Sequence, residues 1–309
     1  MQSIVIIIPY FGKFPPIFKF WKESALNNPN IDFLILTDNN LQNEKNIHVV
    51  KMTFSDLRNK IQTHYDFPIS LPSPYKLCDY KPAYGEIFSE YIKSYDFWGF
   101  GDIDLIYGNI RSIITDDILQ QYNVISGWGH LTLYKNSDYC NTFYKKEVNG
   151  FQFYKTVFSS PKNSCFDEYL HQGIGDLWKH LNPESVWDIR PFDDIRVPYL
   201  SFNFISEFHP EYSSCLIFEY QNNTLYRIYI FNNGEIKREP TLYAHFQKRQ
   251  ILKIKTNNTD HYLIVPNSFI DYENITYKKL IKWGKEQNIK RRIWNLKNKI
   301  TKRLKWLYN

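Results

Sequence analysis

The chain has 309 residues, enough for one large domain or two small ones with a substantial core. Hydrophobic residues make up 43% and charged residues 23%, which excludes global disorder, and only 12 glycines exclude repetitive fibrous classes. The net charge is +6, but residues 278–309 alone carry +11 and the remainder carries −5. This distribution argues against a nucleic-acid-binding body.

The first forty residues predict a strand, a helix and a second strand. Ile4–Ile8 is an unbroken β-branched run, typical of a strand buried on both faces. A helix is predicted over residues 16–26, and Asp32–Thr37 is the next apolar run. A βαβ unit at this position predicts an α/β domain with a largely parallel sheet.

The rest of the chain continues the α/β pattern and then becomes richer in strands. The further predicted elements are strands over residues 47–52, 97–100 and 124–126, a helix over residues 81–94, and β structure over 214–231 and 235–265. The turn at residues 232–234 (Asn-Asn-Gly) predicts a hairpin between the last two. Because no linker interrupts this stretch, we predict one domain over residues 1–277 and a basic tail over residues 278–309.

Neither the cysteines nor the N-terminus carries a processing or metal signature. Cys78, Cys140, Cys165 and Cys215 lack CxxC spacing, which favours buried, reduced thiols. The apolar run near the N-terminus is too short for a signal peptide or a membrane span. We therefore expect a cytoplasmic protein.

The strongest candidate site is the Asp-x-Asp pair at Asp102 and Asp104. It follows the apolar, glycine-containing run Phe97–Gly101, and the carboxyl ends of parallel strands are where α/β sheets bind ligands. Two carboxylates at this spacing suit Mg²⁺ or Mn²⁺, which then hold a diphosphate. A surface turn is the alternative, but two acids embedded in apolar sequence are costly to bury unless they are paired or metal-bound.

The stretch Tyr95–Gly108 resembles the signature of bacterial GT-A-fold glycosyltransferases of capsule and O-antigen (lipopolysaccharide) synthesis, in a group long described as a domain of unknown function. Further matches are Cys78–Ala83, Ser126–Asn136 and His245–Lys248, so the resemblance covers about residues 1–250. It implies a GT-A-like, Rossmann-like nucleotide-sugar-binding fold with a mixed sheet flanked by helices. It also implies transfer of a sugar from a nucleotide donor, with UDP as the expected nucleotide.

The resemblance implies roles for particular residues. The expected metal ligands are Asp102, Asp104 and His245. The expected contacts to the nucleotide sugar are Pro9, Tyr10, Phe11, Asp38, Asp79, Lys81, Asp102, His130 and Lys248. For Asp79 and Lys81 the alternatives are a capping acid and a solvated lysine, and for His130 and His245 they are structural histidines.

A second acidic pair, Asp167 and Glu168, stands at the predicted start of a helix. Such a pair suits either a catalytic base, which an inverting transferase needs, or a contact to the donor sugar. The alternative is an acid favoured by the helix dipole. Among the many aromatic residues, we expect one or two to stack on sugar rings, the candidates being Trp98, Trp128, Tyr134 and Trp178.

The tail has the pattern of a basic amphipathic helix. Lysines, arginines and tryptophans surround an apolar helical face. The residues of that face are Ile289, Ile293, Leu296, Ile300, Leu304 and Leu307. This pattern predicts binding to an anionic membrane surface, at the inner face of the membrane, near a glycan acceptor that is lipid-linked. Packing on the body or on a partner chain is the alternative.

The leading hypothesis is therefore a metal-dependent glycosyltransferase of surface polysaccharide synthesis, with no nucleic-acid partner. Two other classes stay open on the sequence. One is a metal-dependent phospho- or nucleotidyltransferase, since Asp-x-Asp also serves phosphate chemistry. The other is a carbohydrate-binding or membrane-associated scaffold, which the aromatic content and the tail would suit.

Overall fold

A computed structural model gives the structure of residues 1–168, 173–195, 216–231, 233–247 and 252–283, together with Ile293 and Leu296. The chain divides into two units. Unit 1 comprises Met1–Pro15, Ala25–Ile103 and Arg111–Arg190; unit 2 comprises Pro16–Ser24, Asp104–Ile110 and the described residues from Pro191 onward. The sequence predicted a single domain over residues 1–277, because no change in composition marks a linker. The chain passes between the two units within regular elements and short loops, which leave no such mark in the sequence.

The described residues form sixteen strands. In chain order they are β1 Ile4–Pro9, β2 Asp32–Thr37, β3 Ile47–Lys51, β4 Phe97–Gly101, β5 Leu105–Tyr107, β6 Val124–Trp128, β7 Leu131–Lys135, β8 Val186–Trp187, β9 Asp193–Asp194, β10 Ile217–Gln221, β11 Thr224–Ile230, β12 Ile236–Pro240, β13 Tyr243–His245, β14 Lys253–Ile254, β15 His261–Val265 and β16 Ser268–Asp271.

The helices are short. The α-helices are α1 Phe18–Leu26, α2 Phe54–Gln62, α3 Tyr84–Ile87, α4 Ser89–Ile92, α5 Asp116–Gln121, α6 Asp138–Asn141, α7 Phe153–Ser159 and α8 Ile174–Leu181, and residues 277–283 are also helical. The 3₁₀ segments are Pro74–Ala83, Ile110–Ser112, Phe143–Lys145 and Pro183–Ser185.

Unit 1 is built on a mixed seven-stranded sheet of order β3-β2-β1-β4-β7-β6-β8. Strands β1 to β4 run parallel, whereas β7 is antiparallel to both β4 and β6. The apolar runs of β1 and β2 are buried on both faces, as their unbroken apolar composition predicted. The predicted mixed α/β architecture with flanking helices is confirmed.

The four aromatic candidates for stacking on a sugar differ in burial. Trp98, Tyr134 and Trp178 are at most 2% exposed and pack together in the core of unit 1. Large rings buried in a core present no face to a ligand, so Trp128 is the candidate that stays available for stacking on a sugar. Trp128 is only partly buried, and the Arg190 guanidinium lies 4.5 Å from its ring centre.

The helix predicted over residues 81–94 is broken. Residues 74–83 form a 3₁₀ segment instead, and two single helical turns, α3 and α4, follow. Pro82 explains the difference, because a proline lacks an N–H and disfavours the α conformation of the residue before it, here Lys81. Lys81 consequently lies at the end of a tight turn and is buried.

Unit 2 contains two sheets. A six-stranded sheet has the order β12-β11-β10-β15-β16-β14, and a three-stranded sheet has the order β5-β13-β9. The hairpin from β11 to β12 confirms the predicted turn, with Gly234 at φ +87°. A second hairpin, β10 to β11, turns at Asn222 and Asn223, both at positive φ, a conformation that asparagine tolerates well.

The cysteines and the tail complete the comparison with the sequence. Among the described cysteines, Cys140 is buried and Cys78 partly buried, but Cys165 is exposed, contrary to the expectation of burial; all three are free thiols. In the described part of the chain, no helix is long and apolar enough to cross a membrane. Most of the predicted tail helix lies outside the described residues, but Ile293 and Leu296 are helical, and their side chains are 51% and 60% exposed.

Candidate active site

The centre of the candidate site in unit 1 is the ammonium group of Lys81. Its Nζ donates to Asp102 Oδ1 at 2.8 Å and to the carbonyl oxygen of Gly129 at 2.6 Å, and it lies 3.2 Å from Asp167 Oδ2. Three segments that are far apart in the sequence therefore meet at one buried cation. Each of the three segments carries a residue predicted for the site from sequence, namely Asp102, His130 beside Gly129, and Asp167, and Lys81 was predicted as well.

The sheet places these groups. Asp102 directly follows β4, and its backbone N–H donates to the carbonyl of His130 at 3.1 Å in the turn that joins β6 to β7. Gly129 lies in the same turn and donates its backbone N–H to Glu168 Oε2 at 3.2 Å. The turn thus brings the end of β4 together with the segment that carries Asp167 and Glu168.

Asp79 fixes that acidic segment from below. Its carboxylate is fully buried and pairs with Lys76 Nζ at 2.6 Å. The same carboxylate accepts the backbone N–H groups of Ser164 at 2.9 Å and Phe166 at 3.0 Å. Because these partners occupy both oxygens in the interior, a positioning role replaces the direct nucleotide contact predicted for Asp79.

Between these two anchored residues, Cys165 has a φ of +53°, which is uncommon for a residue with a side chain. Backbone of this kind persists only where its surroundings hold it, and it is enriched at functional sites. Here the two hydrogen bonds to Asp79 hold it, and the turn they enforce presents Asp167 to Lys81.

Burial and charge set the protonation of the cluster. Burial works to lower the pKa of Lys81, but the carboxylates of Asp102 and Asp167 outweigh it and hold that pKa well above its ordinary value. Burial raises the pKa of Asp167 to about 7; Lys81 opposes the rise, and Glu168 and Asp102 reinforce it. Lys81 is therefore a fixed cation, and Asp167 is a carboxyl group that exchanges a proton near neutral pH.

Gly129 is required where it stands. A Cβ at this position would lie 2.5 Å from Glu168 Oε1 and 2.8 Å from Asp167 Oδ2, so both carboxylates would have to move. We expect Gly129→Ala to lower turnover by about tenfold or more and to cost about 1–3 kcal/mol of unfolding free energy. Steady-state kinetics and thermal unfolding would measure the two effects.

The matched control is Gly85→Ala, whose Cβ would meet the buried ring of Trp98 and neither carboxylate. It should destabilise the fold to a similar extent and leave turnover per folded molecule nearly unchanged. Equal loss of turnover in both variants would contradict a specific role for Gly129.

Unit 2 contains a second polar cluster, on its three-stranded sheet. There β13 pairs with β5 and β9, which sets His245 opposite Leu105 and Asp194. His245 Nδ1 lies 2.8 Å from Asp194 Oδ1, and its Nε2 lies 3.5 Å from Asp104 Oδ1. Gln247 Nε2 also donates to Asp194 Oδ1, at 2.6 Å.

This second cluster contains groups that bind divalent metals, namely one imidazole and two carboxylates. Burial alone would lower the pKa of His245, but Asp104 and Asp194 outweigh it and raise that pKa to about 10. The carboxylates of the partly buried Asp104 and the buried Asp194 thus stabilise a positive charge on His245. Metal-bound histidines usually donate their other ring N–H to a carboxylate, as His245 can to Asp194, so the residues present fit a divalent ion.

The Asp-x-Asp motif spans the change of unit, so Asp102 is described with unit 1 and Asp104 with unit 2. A different group in unit 1, formed by Cys78, Asp79 and Asp167, also has three donor atoms within 4.8 Å of one another. The Lys76 ammonium already neutralises Asp79, and burial raises the pKa of the Cys78 thiol well above its ordinary value. We therefore do not assign a metal to that group.

The loops after β1 and β2 meet at the carboxyl edge of the sheet in unit 1. Asn39 Nδ2 donates to the carbonyl of Gly12 at 2.7 Å, and the backbone N–H of Gly12 donates to Asp38 Oδ1 at 3.4 Å. Asp38 is exposed, and both Pro9 and Tyr10 are partly exposed. Phe11 is only 8% exposed and packs edge-on against Phe54, so it supports this edge from the core.

Two further predicted residues are placed differently. His130 is 3% exposed, and its ring stacks on Trp128 at a centroid distance of 5.9 Å, which favours the structural alternative over the predicted contact to the nucleotide sugar. Lys248 lies outside the described residues.

Asp194 is the main site residue that the sequence reasoning missed. Its only signal was an acidic pair, Asp193-Asp194, between the apolar residues Phe192 and Ile195. The same logic that singled out Asp-x-Asp, two acids in apolar sequence, would have found it.

A family model matches residues 6–273, most of the chain. The chain belongs to DUF6625, a family of unknown function. No curated protein matches the sequence.

Solved structures similar to this DUF6625 chain include mouse xyloside xylosyltransferase 1 in its apo form, at 11% identity and a TM-score of 0.37, covering 63% of this chain and 88% of that chain. Another is the glycosyltransferase GlyE of Streptococcus pneumoniae, at 10% identity and a TM-score of 0.25, covering 52% of this chain and 44% of that chain. Both TM-scores lie below 0.5, so these likenesses carry no evidence about the activity of this chain.

Proposed function

We propose that this protein is a metal-dependent glycosyltransferase that moves a sugar from a nucleotide donor, UDP in our proposal, to a glycan acceptor. The observation that carries the proposal is the buried Lys81, which joins the first acid of the Asp-x-Asp motif to Asp167 beside the carboxyl ends of parallel strands. Lys81 supplies a fixed positive charge, and Asp167 supplies a carboxyl group that can accept a proton near neutral pH. The carboxyl ends of parallel strands are where sheets of this kind bind nucleotides.

The nucleotide would bind at the loops after β1 and β2. There Tyr10 offers a partly exposed ring to the base, and Asp38 offers an exposed carboxylate to the ribose hydroxyls. Pro9 and the buried Phe11 hold the loop between them in place. Lys248 would offset the negative charge of the diphosphate, a role proposed only because it stands three residues after His245 in the sequence.

We propose Asp104 and His245 as metal ligands, with Asp194 orienting the imidazole. Asp102 is included on the spacing of the motif, since Ile103 alone separates it from Asp104. A bound Mn²⁺ or Mg²⁺ would supply positive charge to the diphosphate leaving group. His245 would bind the ion through Nε2 as a neutral imidazole and would keep its Nδ1–H hydrogen bond to Asp194.

Asp167 is the proposed catalytic base. A carboxyl group with a pKa near 7 is well suited to take a proton from an acceptor hydroxyl at neutral pH. Glu168, held by the Gly129 N–H, would contact hydroxyls of the donor sugar. Lys81 keeps Asp167 in place and limits how far its pKa rises.

The test is metal-dependent turnover of a nucleotide sugar by the wild type and by Asp104→Ala and Asp102→Ala. Both variants should lose at least about a hundredfold in turnover while their unfolding stays cooperative. Asp138→Ala, which removes an acid from the short surface helix α6, is the control and should leave turnover unchanged. Near-wild-type turnover in either motif variant would refute the metal role.

Product mass separates the competing enzyme class. A glycosyltransferase adds one sugar residue to the acceptor, whereas a phospho- or nucleotidyltransferase adds phosphate or nucleotide mass. Acceptors that gain phosphate would overturn the proposed reaction even if the metal dependence held.

We further propose that the basic tail holds the enzyme at the inner face of an anionic membrane, where a lipid-linked acceptor of capsule or O-antigen synthesis would lie. Two residues of its predicted apolar face, Ile293 and Leu296, are helical and more than half exposed, which leaves their apolar surface available to lipid. The dense positive charge of residues 278–309 would add attraction to acidic headgroups.

Deleting residues 289–309 should therefore abolish co-sedimentation with liposomes that contain phosphatidylglycerol, and Ile293→Ser with Leu296→Ser should weaken it several-fold. Neutral phosphatidylcholine liposomes are the control and should bind the intact chain poorly. Equal co-sedimentation of intact and truncated protein would contradict the anchor.

A further inference from the structure

The six-stranded sheet of unit 2 has one face with two different halves. Residues of β10, β11 and β15 on this face are apolar at one end, where residues 275–283 pack against them through Leu280 and its neighbours. At the other end the same face carries Glu219, Gln221 and His261, brought side by side by the strand register.

A groove of about 310 Å³ lies over the polar end, which we name the Glu219 groove. It is lined by Glu219, Gln221, Arg238, Tyr272 and Asn274, with Ile228, Ile236 and Ile275 as its apolar walls. The volume lies at the small end of the range for ligand sites, about 300–1,000 Å³, and suits one or two sugar rings.

The charges of the groove are already balanced. Glu219 is only 4% exposed, and its two oxygens meet Arg238 Nε at 2.7 Å and His261 Nε2 at 3.0 Å. Arg238 also donates from Nη2 to Gln221 Oε1 at 3.0 Å, and its guanidinium lies 3.3 Å from the centre of the Tyr226 ring. The side chains are thus locked before any ligand arrives, and their charges leave little attraction for an anion.

Preorganised planar groups beside an exposed ring define the ligand class. The Arg238 guanidinium and the Gln221 amide are planar groups, and the hydrogen bonds of Arg238 to Glu219 and to Gln221 hold their N–H donors in a fixed orientation. The Tyr272 ring is 44% exposed, and its stacking on His261 at 3.9 Å fixes its orientation. An aromatic face next to aliphatic walls matches the C–H face of a pyranose ring.

We infer that the Glu219 groove binds a neutral saccharide unit. The groove would hold a glycan whether or not the chain transfers sugar, so this inference and the proposed reaction can fail separately. A phosphate or a uronic acid is disfavoured because the ion pair between Glu219 and Arg238 leaves no net positive charge in the groove to attract it.

The test is binding of free oligosaccharides to the full chain, without donor or metal, measured by saturation-transfer NMR and calorimetry. The probes are neutral hexose and N-acetylhexosamine oligomers of two to four units, and hexuronic acid oligomers of the same length. At least one neutral series should bind, and Tyr272→Ala and Gln221→Leu should each weaken that binding by about tenfold.

Tyr277→Ala is the matched control: Tyr277 is 50% exposed in the same unit but does not line the groove, and its loss should leave binding unchanged. Failure of every neutral oligomer to bind the wild type at millimolar concentration would overturn the inference. So would preferential binding of the acidic oligomers, or equal weakening in Tyr272→Ala and Tyr277→Ala. Metal-dependent UDP binding, measured in the same variants, should stay at the wild-type level and reports separately on the proposed function.

Discussion

Replacing Lys81 with methionine is expected to abolish sugar transfer and to lower the free energy of unfolding by about 3–5 kcal/mol. Methionine preserves most of the side-chain volume but removes the cation that Asp102 and Asp167 share. The carbonyl of Gly129 would also lose its donor in the interior. Chemical denaturation above pH 8 would show the largest effect, because the loss of Lys81 raises the pKa of Asp167 beyond its wild-type value of about 7.

The loss should shrink as the pH falls. Without Lys81 the pKa of Asp167 lies above its wild-type value of about 7, so as the pH falls towards 7 Asp167 takes up a proton, which removes one of the two uncompensated charges. The matched control is Lys179→Met, which breaks an ion pair with Asp188 whose side chains are 39% and 33% exposed. That variant should cost about 1 kcal/mol or less and keep full turnover. An equally small cost for Lys81→Met would contradict a buried, charged Lys81.

Asp167→Asn is expected to reduce turnover by about 10² to 10⁴ while keeping the shape of the side chain. If Asp167 is the base, wild-type kcat/KM should rise with pH through about 7, because only the ionised carboxylate accepts the proton. The variant should lose this rise along with the rate. A variant with full turnover and the same pH profile would show that another group is the base.

The same substitution makes a signed prediction for stability. Burial gives Asp167 a higher pKa in the folded chain, about 7, than its ordinary value of 3.8, so the folded state holds the proton more tightly. The stability contribution of this proton is complete below about pH 4 and is lost as the pH rises through 7. Asparagine has no proton to lose, so Asp167→Asn should gain stability relative to the wild type between pH 4 and 8, by up to about 4 kcal/mol.

Denaturation of both proteins across that pH range would measure this difference. Asp138→Asn, at an exposed helix start, is the control and should show a nearly flat difference. A difference that moves in the opposite direction would mean that Asp167 is ionised at low pH in the folded chain.

Local sequence patterns predicted the sheet edge well. The β-branched run of β1, the apolar run of β2 and the strand before Asp102 carry their own signals, because a strand buried on both faces must be apolar throughout. The hairpin at Gly234 likewise follows from residues that tolerate positive φ. These are the features that a window of five to ten residues determines.

The contacts of the site depend on long-range packing and could not be predicted in this way. Lys81 meets Asp167 across 86 residues, and Asp194 orients His245 across 51 residues, so no spacing rule connects them. Asp79 was expected to contact the nucleotide, but its carboxylate pairs with the buried Lys76 and accepts backbone N–H groups of the acidic segment. Trp98 was a candidate for stacking on a sugar but lies in the core, because composition cannot distinguish a buried ring from an exposed one.

The most direct measurement is a screen of nucleotide sugars with the intact protein, a glycan acceptor and Mn²⁺, followed by mass spectrometry of the products. The account predicts that one UDP-sugar is consumed, that the acceptor gains the mass of one sugar residue, and that chelating the metal stops the reaction. Consumption that persists in EDTA, an acceptor that gains phosphate or nucleotide, or no consumption of any donor would contradict it.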